Sequence, residues 1–115
     1  MSGEYNVNEA GVNKALTLIR DGKVDMESDW SEAQPSADEE NAYLEDHSYD
    51  EYGEWFLAID TDASKKTKDR YNFPYGDFKK LHRDGLIAAK QRAAQYDHTA
   101  IEKAADKLLK ELDGD

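Results

Sequence analysis

The chain has 115 residues, no cysteine and a formal net charge of −11, which suits one acidic domain, residues 1–115, and excludes disulfides, thiolate nucleophiles and cysteine-ligated metals. The longest apolar run, residues 55–59, is too short to span a membrane, and the N-terminal residues lack the basic and apolar regions of a signal peptide. These properties predict a cytoplasmic protein that does not enter a membrane.

The first predicted helix covers residues 8–20. Val12, Leu16 and Ile19 recur on one face at the spacing of an α-helix. Gly22 follows at the position where a left-handed residue commonly ends a helix. We therefore expect this helix to stop before Gly22.

Three segments show no periodic pattern. Residues 1–6 and 114–115 are predicted to be disordered, because the ends of a chain are often poorly tied down. Residues 21–35 are predicted to form an acidic loop that can include one helical turn, and Trp30 is its only large apolar anchor.

Capping boxes predict two further helices in the first half of the chain. Each box pairs a serine with a glutamate three residues later, Ser36 with Glu39 and Ser48 with Glu51. The second of these helices is predicted to run to residue 59 and to form the centre of the core, because its large apolar residues recur at helical spacing. These residues are Tyr52, Trp55, Phe56 and Ile59.

The helical period disappears in residues 70–83, where aromatic and polar residues alternate around Pro74 and Gly76. This pattern predicts a short β-hairpin or ribbon. Two helices follow, one capped by Asp84 and one opened by a third capping box at residues 99–102. The fold class is therefore mainly α, a small α+β domain with four to five short helices. The predicted core residues are Trp55, Phe56, Ile59, Leu86, Ile87, Leu108 and Leu109.

Charge is distributed unevenly along the chain. Residues 1–59 carry 15 acids and 3 bases, whereas residues 60–115 carry 11 acids and 12 bases. Residues 21–54 alone hold 13 acids against a single base, Lys23. Such a segment can attract a basic partner or mimic DNA, and the alternative is solvated surface charge.

Basic and aromatic residues alternate in residues 70–83, as they do on surfaces that bind single-stranded nucleic acid. The alternative is a hairpin whose rings face the core, and the net charge of −11 favours that alternative. If this segment forms an interaction surface, its candidate residues are Arg70, Tyr71, Tyr75, Lys79, Lys80 and Arg83.

The sequence predicts no catalytic residue, no metal site and no cofactor. His47, His82 and His98 are too scattered to indicate a ligand set, and no nucleotide-binding glycine pattern occurs. Among 26 acids some carboxylates must lie close together, so such pairs do not indicate acid–base catalysis. We therefore expect a protein that is not an enzyme.

Several motifs follow one another in an order that resembles a known family. They are Gly22-Lys23-Val24-Asp25, Trp30-Ser31, Trp55-Phe56-Leu57 with Ile59-Asp60, Arg70-Tyr71 with Phe73-Pro74-Tyr75-Gly76, and Arg83 with Gly85-Leu86-Ile87-Ala88-Ala89. Across residues 11–113 this series resembles an uncharacterised small domain of tailed-phage and prophage proteins, which occurs alone or with head-assembly genes such as prohead proteases. The resemblance implies a phage or prophage origin, and it implies no catalytic residues.

Residues and resemblance together predict a protein-interaction domain with a link to virion head assembly. The expected partner is an unidentified protein, by the resemblance a phage head-assembly component, in the cytoplasm of the host cell. Two alternatives stay open, which are nucleic-acid binding through residues 70–83 and acidic DNA mimicry through residues 21–54.

Overall fold

A computed structural model describes residues 5–114 of the chain. Within this range the chain forms helices and a small antiparallel sheet, so the predicted class, a mainly α domain of the α+β type, is confirmed. The helices are α1 (Glu9–Arg20), α2 (Trp30–Ala33), α3 (Ala37–Asp46), α4 (Tyr49–Gly53), α5 (Arg83–Gln95) and α6 (Thr99–Asp113). The strands are β1 (Tyr5–Val7), β2 (Val24–Asp25), β3 (Phe56–Asp60), β4 (Tyr71–Pro74) and β5 (Leu81–His82).

Helix α1 begins and ends as the sequence predicts. Gly22 adopts a positive φ of 74° and its N–H donates to the carbonyl oxygen of Ile19 at 3.1 Å. At the other end, the buried Asn8 amide donates to the carbonyl oxygens of Gly53 and Phe56 at 2.8 and 3.0 Å. These bonds fix the start of α1 to the turn between α4 and β3.

The segment predicted as one helix over residues 48–59 is a short helix followed by a strand. The capping box of Ser48 and Glu51 forms as predicted, but α4 ends at Gly53. Strand β3 follows and lies in the middle of a three-stranded sheet of order β1-β3-β4, with both neighbours antiparallel. Residues 56–58 are all buried, and a continuous apolar run suits such a central strand as well as it suits a buried helix.

Two segments that were predicted to be irregular contain regular structure. Tyr5 and Asn6 belong to β1 and pair with Asp60 and Ile59, so the prediction of disorder is wrong for these two residues. Residues 1–4 and 115 lie outside the described part of the chain.

Regular structure also occurs inside the predicted acidic loop of residues 21–35. The single helical turn α2, whose first residue, Trp30, is buried, agrees with the one turn that the sequence allowed, whereas β2 was not predicted. At the other end of the chain, Gly114 adopts a φ of 79° and terminates α6, where disorder was predicted.

Residues 70–83 are extended, but their main partners lie elsewhere in the chain. Strand β4 pairs with β3, and β5 pairs in parallel with β2. Between β4 and β5, the N–H of Asp77 donates to the carbonyl oxygen of Lys80 at 3.1 Å, and Gly76 and Leu81 form an isolated antiparallel bridge. The N–H of His82 also donates to the carbonyl oxygen of Tyr75 at 2.9 Å, so the predicted hairpin is confined to residues 75–82.

Helices α5 and α6 form an antiparallel pair. Arg83 near the start of α5 donates two hydrogen bonds to Asp113 near the end of α6, each at 2.9 Å. Further along, Lys90 donates to Asp106 at 2.8 Å. Arg83 and Lys90 follow one another along α5, whereas their partners Asp113 and Asp106 occur in the reverse order along α6. The two helices therefore run in opposite directions.

The starts of α5 and α6 differ from the prediction. Asp84 does not cap its own helix, because its carboxylate accepts the N–H of Trp30 at 2.7 Å and so serves α2. Thr99 is the first residue of α6 and makes no capping hydrogen bond. A capping-box sequence is therefore not sufficient to form the capping hydrogen bonds. Here the tight turn around Asp97, which has a φ of 60°, determines how the chain enters α6.

The predicted core is mostly confirmed. Trp55, Phe56, Leu86 and Leu108 are buried, Ile59 and Leu109 are partly buried against the core, and Ile87 is half-buried. Within residues 5–114, none of the helices has both the length and the apolar character needed to cross a membrane.

Candidate functional site

The two tyrosines of the predicted interaction surface belong to the interior. Tyr75 is 0% exposed, and its hydroxyl donates to the carbonyl oxygens of Glu54 and Gly11 at 2.8 and 3.3 Å. Burial raises the pKa of Tyr75 well above its ordinary value, so the hydroxyl stays a neutral donor. Tyr71 is 9% exposed and packs so closely on Gly53 that a Cβ there would overlap its ring. These two candidate residues therefore do not form an exposed surface, and the favoured alternative, rings that face the core, is confirmed at both positions.

The four bases of the same predicted surface do not act together. Arg70 donates to the carbonyl oxygen of Ala63 at 3.0 Å, and Arg83 is held by the carboxylate of Asp113. Only Lys79 and Lys80, in the turn after Asp77, are exposed. Stacking rings and free cations thus do not share one surface at residues 70–83.

We call residues 21–54 the acidic segment, and most of its carboxylates face solvent. Two of its 13 acids lie near a basic side chain of the described residues: Glu40 is 3.4 Å from the Lys68 ammonium, and Asp25 is 3.9 Å from the imidazole Nδ1 of His82. Glu54 is half-buried. The ten exposed acids, which form no ion pair within residues 5–114, are Asp21, Glu27, Asp29, Glu32, Asp38, Glu39, Glu45, Asp46, Asp50 and Glu51.

His82 sits between two carboxylates but is closed off from solvent. Its Nε2 lies 2.9 Å from Asp77 Oδ2, and its Nδ1 lies 3.9 Å from Asp25 Oδ2. The ring is 2% exposed and packs beside Trp30, with 5.5 Å between ring centroids. A substrate has no access to this imidazole, so the arrangement joins β2, β5 and the 77–80 turn. Within residues 5–114, no three side chains of histidine, aspartate or glutamate are arranged to hold a metal ion.

An open groove of about 530 Å³ lies between α2 and α3 on one side and β4 and α5 on the other. Gln34, Asn72 and Arg92 contribute polar groups to its lining, as does the ion pair of Glu40 with Lys68. The aromatic residues that border it, each at most 9% exposed, are Trp30, Tyr52, Phe56, Tyr71 and Phe73, and Pro74 lies beside them. We call this cavity the aromatic groove.

A second cavity of about 280 Å³ shares Asn72, Phe73 and Arg92 with the aromatic groove. Its other lining residues are Tyr5, Tyr96 and His98. We call this cavity the ring slot. Sequence reasoning missed both cavities, because the residues of each come from at least three elements that lie far apart in the chain. The one available signal was Tyr96, a large ring in a polar stretch, which is 56% exposed.

The structure is that of a small α+β domain with an exposed acidic segment and a groove bordered by largely buried rings. No protein-family model, no curated protein and no solved structure matches the chain.

Proposed function

We propose that this chain is a non-enzymatic protein-interaction domain of phage or prophage origin, which acts in virion head assembly in the cytoplasm of the host cell. One observation carries the protein-interaction part, namely the ten exposed acids of the acidic segment that form no ion pair within residues 5–114. The series of motifs from Gly22 to Ala89 supports the phage part.

The chemistry of the acidic segment favours a basic partner. Ten exposed carboxylates and a net charge of −11 produce a negative potential that attracts positive surfaces and speeds their association. Such attraction is screened over about 8 Å at physiological ionic strength. Binding through the acidic segment should therefore weaken as salt is added.

A DNA-binding protein is the second candidate partner, because the same exposed carboxylates could occupy a surface that normally holds phosphates. Direct binding of nucleic acid through residues 70–83 has less support, since Tyr71 and Tyr75 are buried. The two candidates differ in one respect: a mimic should be displaced from its partner by duplex DNA.

The test is an affinity pull-down from phage-infected host lysate at low and high salt, with the partners identified by mass spectrometry. The wild-type chain is compared with a variant that carries Glu32→Gln, Glu45→Gln and Asp46→Asn, three exposed acids outside the capping boxes. The matched control carries Glu9→Gln, Asp62→Asn and Glu111→Gln, which remove the same charge outside the acidic segment.

Head-assembly proteins should be recovered by the wild type and by the control, and should be lost from the acidic-segment variant or at high salt. Recovery of a protein that duplex DNA displaces would favour mimicry. Equal recovery with both variants would contradict a role for the acidic segment.

A further inference from the structure

We propose, on the basis that the partner is a protein as in the proposed function, that the ring slot and the adjoining aromatic groove bind an extended peptide segment of that partner. The segment carries a carboxylate beside an aromatic or proline ring. The carboxylate pairs with Arg92, and the ring enters the slot.

The walls of the ring slot are suited to a flat apolar group. The Tyr5 and Phe73 rings meet edge to face at a centroid distance of 5.9 Å, and His98 lies 5.1 Å from Tyr5 and 5.8 Å from Phe73. Aromatic rings favour offset or edge-to-face partners at such distances. With a volume of about 280 Å³, the slot has room for one side-chain ring and its backbone.

Arg92 supplies the charge of this site. It is exposed and forms no ion pair among residues 5–114, and its guanidinium lies over the Tyr96 ring at 5.7 Å. A planar guanidinium that is stacked on a ring presents its remaining donors in a fixed orientation, and this arrangement suits a carboxylate. Like-charge repulsion disfavours a cationic side chain beside Arg92.

The backbone at Phe73 is strained where the two cavities meet. Phe73 has a φ of 63° although it is not glycine and lies within β4. A non-glycine residue in this region costs on the order of 1 to 3 kcal/mol, and such residues cluster at binding sites. Here the unusual φ belongs to Phe73, the residue that borders both the slot and the groove.

The geometry favours a peptide over a nucleic acid. Arg92 and Lys68 are the cations that line the two cavities, and Lys68 is already paired with Glu40. One free cation matches one carboxylate, whereas a strand of nucleic acid brings a phosphate with every nucleotide to a protein of net charge −11. Pro74 has no N–H at the end of β4, so side chains rather than strand addition should provide the recognition.

The experiment begins by panning a library of random peptides, displayed on filamentous phage, against the full chain. Panning at about 0.3 M salt, where the Debye length is about 6 Å, limits selection by the acidic segment. A selected peptide is then titrated against the wild type, Arg92→Gln and Tyr96→Ala. Lys107→Gln and Met26→Ala are the matched controls, since Lys107 is an exposed base without an ion pair among residues 5–114 and Met26 is 47% exposed.

The selected peptides should share an acid next to an aromatic or proline ring. Loss of the Arg92 guanidinium should weaken binding about tenfold, the usual effect of a lost charge-assisted hydrogen bond. The controls should change the affinity by less than about twofold. In NMR spectra of the protein, the amide shifts should centre on Asn72, Phe73, Arg92 and Tyr96.

Three results would overturn the inference. They are a library without enrichment, equal binding to the wild type and Arg92→Gln, and tighter binding of adenosine monophosphate than of any selected peptide at the same amides. The pull-down separates this inference from the proposed function. If the wild type and Arg92→Gln recover the same partner equally, the cavities do not bind that partner, and the proposed function is unaffected. If the wild-type chain recovers no protein, the proposed function is contradicted.

Discussion

Two carboxylates are held in their ionised form by donors around the buried His82. The pKa of Asp25 is lowered chiefly by the hydroxyl of Ser28, with help from backbone N–H groups of the same turn. For Asp77, burial acts to raise the pKa, but hydrogen bonds from His82 and from the N–H groups of residues 79–80 outweigh it. The net pKa of Asp77 is lowered as well.

These shifts determine how stability should depend on pH. A carboxylate whose pKa is lower in the folded chain than in the unfolded chain, where it is about 3.9, contributes stability above that value. The contribution is lost as the pH falls through the folded-state pKa. We therefore expect the free energy of unfolding to decline below about pH 4, and Asp77→Asn to make that decline shallower.

Urea denaturation at a series of pH values measures this effect. Asp62→Asn is the control, because the exposed Asp62 carboxylate accepts no hydrogen bond within residues 5–114. A decline of equal steepness in the wild type and Asp77→Asn would show that Asp77 is not held as the structure indicates.

At the scale of secondary-structure elements, local signals in the sequence were reliable where the cause was local. The limits of α1, the left-handed Gly22 and the capping boxes at Ser36 and Ser48 depend on neighbouring residues, and all four occur as predicted. Strand β3 was missed because its conformation depends on β1 and β4, which are remote in the chain.

The same reasoning explains the errors at the candidate site. Alternation in residues 70–76 correctly indicated extended chain, but it could not show which face would be covered. Tyr71 and Phe73 turn toward the core because α5 and β3 pack against β4, and Tyr75 reaches across to Gly11. The sequence carries no local record of the groove, since its walls meet only after α2, β4 and α5 have packed.

The capping boxes provide a test at the same scale. Ser36→Ala and Ser48→Ala should each lower the free energy of unfolding by about 1 kcal/mol, because each serine accepts an N–H at the start of its helix. Thr99→Ala should change it by less than about 0.5 kcal/mol, because Thr99 makes no capping bond.

Denaturant titration measures all three variants. Amide exchange of α3 adds a local readout for Ser36→Ala, since no residue of α3 is fully buried and this helix depends on its cap. If Thr99→Ala lowers the free energy of unfolding as much as Ser48→Ala does, the capping box at residues 99–102 does form at the start of α6 in solution.

For the whole molecule, the dominant physical property is the net charge of −11. Like charges on a compact chain repel one another and lower its stability, and salt screens this repulsion. Ion pairs at the surface, such as the partly exposed pair of Arg83 with Asp113, contribute little to the free energy of unfolding, so salt removes little stability by screening them. The melting temperature should therefore rise as salt is added from very low ionic strength.

Calorimetry in a salt series measures this rise. The variant with Glu32→Gln, Glu45→Gln and Asp46→Asn should show a smaller rise, because three repelling charges are gone. A melting temperature that falls with salt in the wild type would mean that attractive pairs outweigh the repulsion.

The contact of the last helix with the first strand affects how the protein is made. Helix α6 packs against β1, α1 and β3, so the core stays incomplete until α6 has been translated and has left the ribosome. At about 5 to 20 residues per second, the apolar run of β3 waits on the order of 3 to 10 s for that helix. During this interval the apolar residues of β3 lack their partners in α6, so the core is completed only when synthesis of the domain is nearly complete.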